Sequence, residues 1–276
     1  LFIIMINYTK LSIPFEKNDF NLTGYSRSGV RTGIYLEEYD IMMDGGLYFD
    51  RKPKMILVTH GHLDHVCNLY SSLLDNINKP IVLAPSSSVG FLKHYLNSQH
   101  TVSLNRKSYF NKYKMIGLDE PYDVNLSKKF RIVPYTLDHR VDTLGFGIHI
   151  MGKKLDPRWK GKTQDELIQL KRSGEELNIV NEKKFIMFCG DTSSMSLSSL
   201  PFNDYSYVII ECTFLEPDHY HEALSRKHLH YQDLKPFFEA NLSTTFILIH
   251  FSRRYKDSKI KEFFKEKNHS NVKLFI

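Results

Sequence analysis

Short apolar runs rich in Ile, Val, Leu and Phe recur along this 276-residue chain, most of them closed by Gly, Pro, Asn, Asp or His. Runs of that kind predict buried strands. They fall at Gly33–Leu36, Ile41–Asp44, Met55–Thr59, Ile81–Ala84, Phe130–Tyr135, Leu144–Met151, Phe185–Cys189, Tyr207–Glu211, Phe246–His250 and Val272–Phe275. Helical spacing of apolar positions predicts helices at His65–Leu74, Ser88–Asn97, His230–Ala240 and Asp257–Lys267, the second started by Pro85 and Ser86-Ser-Ser88. The opening 1–7 is apolar but short and without a basic leader, so it reads as a first strand and not as a signal peptide. No repeat or linker divides the chain. The pattern predicts an α/β fold, two β-sheets flanked by helices, in one domain spanning 1–276.

Composition narrows the class only a little. Hydrophobic content of 42% and charged content of 25% are ordinary for a globular protein. No apolar stretch approaches the roughly 18–20 residues that span a bilayer, so no membrane partner is expected. Cys67, Cys189 and Cys212 are too sparse and odd in number for a disulfide framework. They favour a reducing, intracellular setting, cytoplasmic or within an organelle or nucleus. Net charge +6 and a pI near 9.0 admit a polyanionic partner. That charge gathers in a basic insertion at about 152–183, where Lys153, Lys154, Arg158, Lys160, Lys162, Lys171 and Arg172 surround the single tryptophan, Trp159. Basic residues with an aromatic among them suit phosphate and base contact; a solvated surface segment is the alternative.

The chemistry lies in Thr59-His60-Gly-His62-Leu-Asp64-His65, directly after an apolar run. Three imidazoles and a carboxylate so close together are costly unless they bind something, and they are the donors that suit zinc and related divalent ions. Further donors end later strands: His139 after Phe130–Tyr135, Asp191 after Phe185–Cys189 and Gly190, and His250 after Phe246–Ile249. Seven such donors are enough for two ions sharing one carboxylate.

These residues, with Asp44 matching the first motif, resemble the metallo-β-lactamase superfamily. Leu144-Gly-Phe-Gly147, Glu211-Cys-Thr-Phe214, His228-Leu-His230 and His250-Phe-Ser-Arg-Arg-Tyr255 narrow the resemblance to ribonuclease Z, which trims precursor tRNA 3′ ends. Gly24-Tyr-Ser-Arg-Ser-Gly29 and Lys154-Leu-Asp-Pro-Arg-Trp-Lys-Gly161 are similar to its short plant and cyanobacterial form. The resemblance implies an αβ/βα sandwich with two zinc ions at one edge, manganese or iron being other occupants. His60, His62 and His139 would hold one ion and Asp64, His65 and His250 the other, with Asp191 bridging. Asp64 would also orient or deprotonate the attacking water. His228, held by Glu211, would protonate the leaving 3′-oxygen. The resemblance further implies precursor tRNA as substrate and a homodimer.

The chain departs from that pattern in two places. The family's His-Ser/Thr-Thr run is here His228-Leu-His230, so His230 is a second candidate for the acid. The long Gly/Pro-rich arm that grips tRNA in many bacterial members is replaced by the short basic insertion, whose Lys160, Lys162, Lys171 and Arg172 are candidates for backbone contact. Arg253 and Arg254 are candidates for holding substrate phosphates, or for ion pairs. Two other readings stay open: a hydrolase of the same superfamily acting on a cyclic nucleotide or thioester, and a non-catalytic RNA-binding relative.

Overall fold

In the computed structural model, which describes residues 8–74, 76 and 79–276, the apolar runs assemble into two seven-stranded sheets. The first follows chain order: β1 (Thr9–Phe15), β2 (Asn18–Arg27), β3 (Arg31–Leu36), β4 (Ile41–Met43), β5 (Met55–Leu57), β6 (Ile81–Ala84) and β7 (Lys114–Gly117). The second also runs in sequence: β8 (Tyr122–Asn125), β9 (Lys129–Leu137), β10 (Thr143–Leu155), β11 (Asn178–Phe188), β12 (Tyr207–Glu211), β13 (Thr245–Ile249) and β14 (Val272–Leu274). Each begins with antiparallel hairpins and finishes with parallel strands, β4 to β7 in one and β11 to β14 in the other. The helices are α1 (Leu63–Val66), α2 (Leu69–Leu74), α3 (Val89–Leu104), α4 (Gln164–Arg172), α5 (Tyr220–Arg226), α6 (Tyr231–Ala240) and α7 (Asp257–Lys267).

Parallel strands are buried on both faces, which is why they read as unbroken apolar runs. Met43, Leu57 and Leu83 of the first sheet face Phe146, Phe188 and Ile209 of the second in a shared core. Met42, Ile56 and Val82 point the other way, onto Leu73 of α2 and Leu92 and Leu96 of α3. Val208, Ile210 and Leu248 do the same against Leu234 and Phe238 of α6 and Ile260 of α7. Burying each such side chain contributes about 1.5–3 kcal/mol. The result is helix, sheet, sheet, helix.

This layering positions the chemistry. Because β9, β11, β12 and β13 point the same way, their C-terminal ends deliver His139, Asp191, Glu211 and His250 to one edge. Asp44 and the Thr59–His65 run leave β4 and β5 at the facing edge. The sheets touch there, where Leu144 N–H donates to the Thr59 carbonyl at 3.0 Å.

Several expectations need correction. The predicted helix over His65–Leu74 is two short helices, broken at Cys67 and Asn68. Ser88–Asn97 continues to Leu104. The half-exposed hairpin β1–β2, strands β7 and β8, and helices α4 and α5 carry too few apolar positions to have been foreseen. The strand expected over 1–7 lies outside the described residues. The basic insertion is a ribbon: β10 and β11 run on together, pairing Leu155 with Asn178, and α4 sits at the tip. Among the described residues no helix is long and apolar enough to cross a membrane.

Candidate metal centre

Asp44 and His250 are the residues immediately after β4 and β13, and both adopt positive φ, 60° and 59°. Non-glycine residues rarely sit there, and held strain of this kind gathers at functional sites. The turn at Asp44 aims its fully buried carboxylate at Thr59, whose backbone N–H donates at 2.8 Å and hydroxyl at 3.0 Å, and at His65 Nδ1, 2.7 Å away. His62 stands at the start of α1, so Asp64 and His65 lie on its first turn, turned back toward His60.

Three ring nitrogens converge. His60 Nε2 lies 2.9 Å from His62 Nδ1, which lies 3.3 Å from His139 Nε2. The outer nitrogens of His60 and His139 are taken, by the Thr59 hydroxyl at 3.0 Å and the Lys227 carbonyl at 2.9 Å. His139 Nδ1–H therefore donates outward and Nε2 presents a lone pair. Burial pushes the pKa of His60, His62 and His139 down, favouring neutral imidazoles. Lone pairs about 3.3 Å apart are what tetrahedral nitrogen ligands of a cation with ~2 Å bonds require.

A second set lies beside it. His65 Nε2 and His250 Nε2 are buried and have no hydrogen-bond partner, a costly state for polar atoms unless a ligand completes it. Asp64 Oδ2 lies 3.7 Å and 3.5 Å from them. Asp191 Oδ2 sits between the sets, 3.5 Å from both of these nitrogens, 3.8 Å from His60 Nε2 and 4.0 Å from His139 Nε2. Burial alone would raise both carboxyl groups, but the surrounding imidazoles hold Asp191 well below the usual range and Asp64 at about 2. The donor atoms of His60, His62, His139 and Asp191 lie within 4.8 Å of one another, as do those of Asp64, His65 and His250. The residues present fit a divalent metal site.

Beyond this pair of sets lie Glu211 and His228. Glu211 is fully buried and accepts four donors: Thr192 N–H and His228 Nδ1–H on Oε1, Leu229 N–H and the Thr213 hydroxyl on Oε2. His228 Nδ1 is 3.9 Å from Asp191 Oδ2, and its ring faces those of His139 and His250. Burial would lower its pKa, but Glu211 more than reverses that and holds it at about 9. His230 is turned elsewhere, capping α6 through Gln232 N–H and placing Nε2 2.9 Å from the Glu216 carbonyl.

The remaining predicted contacts are scattered. Arg254 pairs with Glu222 at 2.9 Å and lies over the Phe214 ring, while Arg253 is exposed. Lys160, Lys162, Lys171 and Arg172 stand at the ribbon tip, Lys162 paired with Glu166. A thirteen-residue strand such as β10 spans roughly 40 Å at ~3.3 Å per residue, so the tip and the metal centre lie at opposite ends of it. Sequence reasoning gave no role to Thr59 and Thr213, although both stand inside the motifs, nor to Lys227; each acts through a hydrogen bond. It also missed a cleft of about 500 Å³ beside His62, lined by Leu63, Val66, Phe91, Leu92, Tyr95 and Val141.

No protein-family model matches the chain. It is similar to tRNase Z TRZ2, chloroplastic, of Arabidopsis thaliana, 26% identical over 260 residues that cover 90% of this chain and 72% of that protein. Among solved structures it superposes on the short form of human tRNase Z with a TM-score of 0.56 and 16% identity, covering 91% of this chain and 95% of that one. The metallo-β-lactamase fold protein YhfI of Bacillus subtilis gives 0.58 and 13%, covering 91% and 92%. The chain has the metallo-β-lactamase αβ/βα sandwich fold, and its resemblance to ribonuclease Z extends over most of its length.

Proposed function

We propose that this protein is a metal-dependent endoribonuclease of ribonuclease Z type that removes 3′ trailers from precursor tRNA. The fold does not choose this substrate, since a tRNase Z and YhfI superpose equally well. The observation that carries the reading is the Glu211–His228 pair beside the metal centre, in a chain whose sequence relative is a tRNase Z. A ribose 3′-oxygen is a poor leaving group and needs a proton; His228 offers one.

Two zinc ions, or manganese or iron in their place, would be held by His60, His62 and His139 and by Asp64, His65 and His250, with Asp191 shared. Bound there, they would supply a nucleophile from water at neutral pH and positive charge against the phosphate. Asp64, anchored at Oδ2 by the Gly29 N–H at 3.0 Å, would orient that water and accept its proton. As the water oxygen bonds to phosphorus, the bond from phosphorus to the 3′-oxygen breaks, and His228 Nε2–H protonates the departing oxygen. Glu211 keeps Nδ1–H occupied, so that the proton His228 has to give is the one on Nε2. The products are a tRNA 3′-hydroxyl and a trailer with a 5′-phosphate.

The whole chain, 1–276, is one domain in this reading, with the 152–183 ribbon as its RNA-gripping extension. We place it as a homodimer in a reducing compartment, the cytoplasm or an organelle; three unpaired thiols suit that setting. The deciding experiment incubates purified, metal-analysed protein with a precursor tRNA beside a His62→Ala variant and maps the product end. One cut after the discriminator, absent in the variant, is the expected result. Turnover of bis(p-nitrophenyl) phosphate without any cut in precursors would move the substrate elsewhere in the superfamily.

A further inference from the structure

Thr213 lies two residues beyond Glu211 and one hydroxyl away from His250. Its Oγ1 is 2.5 Å from Glu211 Oε2, 3.1 Å from His250 Nδ1 and 3.0 Å from the His250 carbonyl, and all three residues are buried. A hydroxyl has one proton to give. The carboxylate and the His250 carbonyl can both only accept, so the proton goes to one of these two, the carboxylate being the shorter contact, and none is left for the imidazole. The hydroxyl lone pairs then face His250 Nδ1, which must carry its own hydrogen and donate it. That assigns the tautomer of His250 and leaves Nε2, the orphaned atom, as a lone pair aimed at the second set of metal donors.

The first sheet repeats the arrangement. The Thr59 hydroxyl donates to Asp44 and lies 3.0 Å from His60 Nδ1. Asp44 in turn receives His65 Nδ1, as Glu211 receives His228 Nδ1. Each sheet thus contributes a carboxylate, a threonine hydroxyl and two imidazoles, one bound by each.

We infer that Thr213 is a positioning residue that couples the two halves of the site. Through one hydroxyl it fixes His250 as an Nε2 metal ligand and holds the Glu211 carboxylate that aims His228. The valine side chain has nearly the same shape and no hydroxyl, so Thr213→Val leaves His250 free to turn or to change tautomer. Serine keeps the hydroxyl. This inference rests on the metal-centre reading and not on the identity of the substrate.

The test titrates zinc into metal-free, full-length protein against a chromophoric chelator. Wild type is expected to bind two ions. Thr213→Val should weaken one of them 10–100-fold, the range typical for lost outer-shell partners, and leave the other within about twofold of wild type. Thr213→Ser should restore both. Unchanged binding in Thr213→Val, or equal weakening by valine and serine, overturns the coupling while the metal centre stands. Failure of the wild type to bind zinc overturns the metal centre itself. Should the valine variant not fold, nitrogen NMR of ¹⁵N-histidine-labelled, zinc-loaded wild type decides: a protonated Nδ1 on His250 supports the inference, and a metal-bound Nδ1 overturns it.

Discussion

His228 Nδ1–H donates to Glu211 Oε1 across 2.9 Å, and the carboxylate behind that bond is completely enclosed. A buried carboxylate with four donors is fixed in place, so the imidazole it holds is fixed as well. The role of His228 as general acid then makes a prediction that depends on the leaving group. His228→Ala should lower kcat on precursor tRNA about 10²–10⁴-fold. With bis(p-nitrophenyl) phosphate, whose phenolate departs without a proton, the loss should be much smaller. Equal losses on both substrates, at unchanged metal content, would assign His228 to the metal centre and not to proton delivery.

Metal removal should register in stability as well as activity. His65 Nε2 and His250 Nε2 are buried and find no hydrogen-bond partner within the protein. A ligand that binds only the folded state stabilises it by about 2.7 kcal/mol at a hundredfold excess over its dissociation constant. Chelation is therefore expected to lower the melting temperature and zinc to restore it. Asp191→Ala, which takes away the carboxylate between both sets, should abolish that response; a melting curve indifferent to chelator in wild type would count against the site.

Gly190 bears on the same geometry. A Cβ there would meet Thr59 Cβ at 2.6 Å, Oγ1 at 2.7 Å and Cγ2 at 2.9 Å. None of these is a flexible side-chain end, and the Thr59 hydroxyl is committed to Asp44. Gly190→Ala must push the sheet edges apart, at the ~1–3 kcal/mol typical of overpacking. In a chain of this size that is a fall of several degrees in melting temperature, at about 2–4 °C per kcal/mol, together with weaker zinc binding. An alanine variant as stable as wild type would show that the edges can part without cost.

How much of this was legible in the sequence follows from what carries each part. The parallel strands were visible because burial on both faces leaves unbroken apolar runs such as Met55–Val58 and Phe246–Ile249. The candidate metal donors were visible because four of them crowd one short run, His60–His65, and the others end later apolar runs. The β1–β2 hairpin keeps a period of two, with Ile13, Phe20 and Leu22 on the buried side, but its exposed polar positions interrupt any apolar run of the kind that marks the parallel strands. Helix α4 has no buried face at all and holds through its Thr163/Glu166 capping box. Thr59 and Thr213 were invisible for another reason: a hydroxyl's role depends on a partner brought to it by the other end of a sheet.

At the root of the ribbon, His149 is buried between Glu182 Oε1 at 2.5 Å and the Tyr205 hydroxyl at 2.6 Å. Burial pushes its pKa below the ordinary 6.5, with Glu182 opposing in part. The unfolded chain therefore binds a proton near pH 6.5 that the folded chain refuses, and stability must fall as pH drops through that value. His149→Gln removes this contribution. Urea midpoints at pH 7.5 and 5.5 should differ less in the variant than in wild type, the loss of metal in acid being common to both. An identical drop in the two proteins would mean that His149 accepts its proton while folded.

The basic tip makes the last prediction, and the distance along β10 gives it its form. Lys160, Lys162, Lys171 and Arg172 stand at the far end of a strand spanning roughly 40 Å, so they cannot take part in chemistry within the same chain. If they neutralise backbone phosphates of a bound tRNA, each contact releases counterions, and the affinity depends on salt in proportion to their number. Replacing all four with Ala should weaken precursor binding at low salt and flatten the plot of log affinity against log salt by up to ~3–4 units of slope. Turnover of bis(p-nitrophenyl) phosphate should not change, since that substrate is too small to reach the tip. Lys162 already pairs with Glu166 at 2.7 Å and should contribute least of the four. An unaltered salt slope would remove the ribbon from the RNA-binding surface and leave the tRNA to be held by the body of the fold.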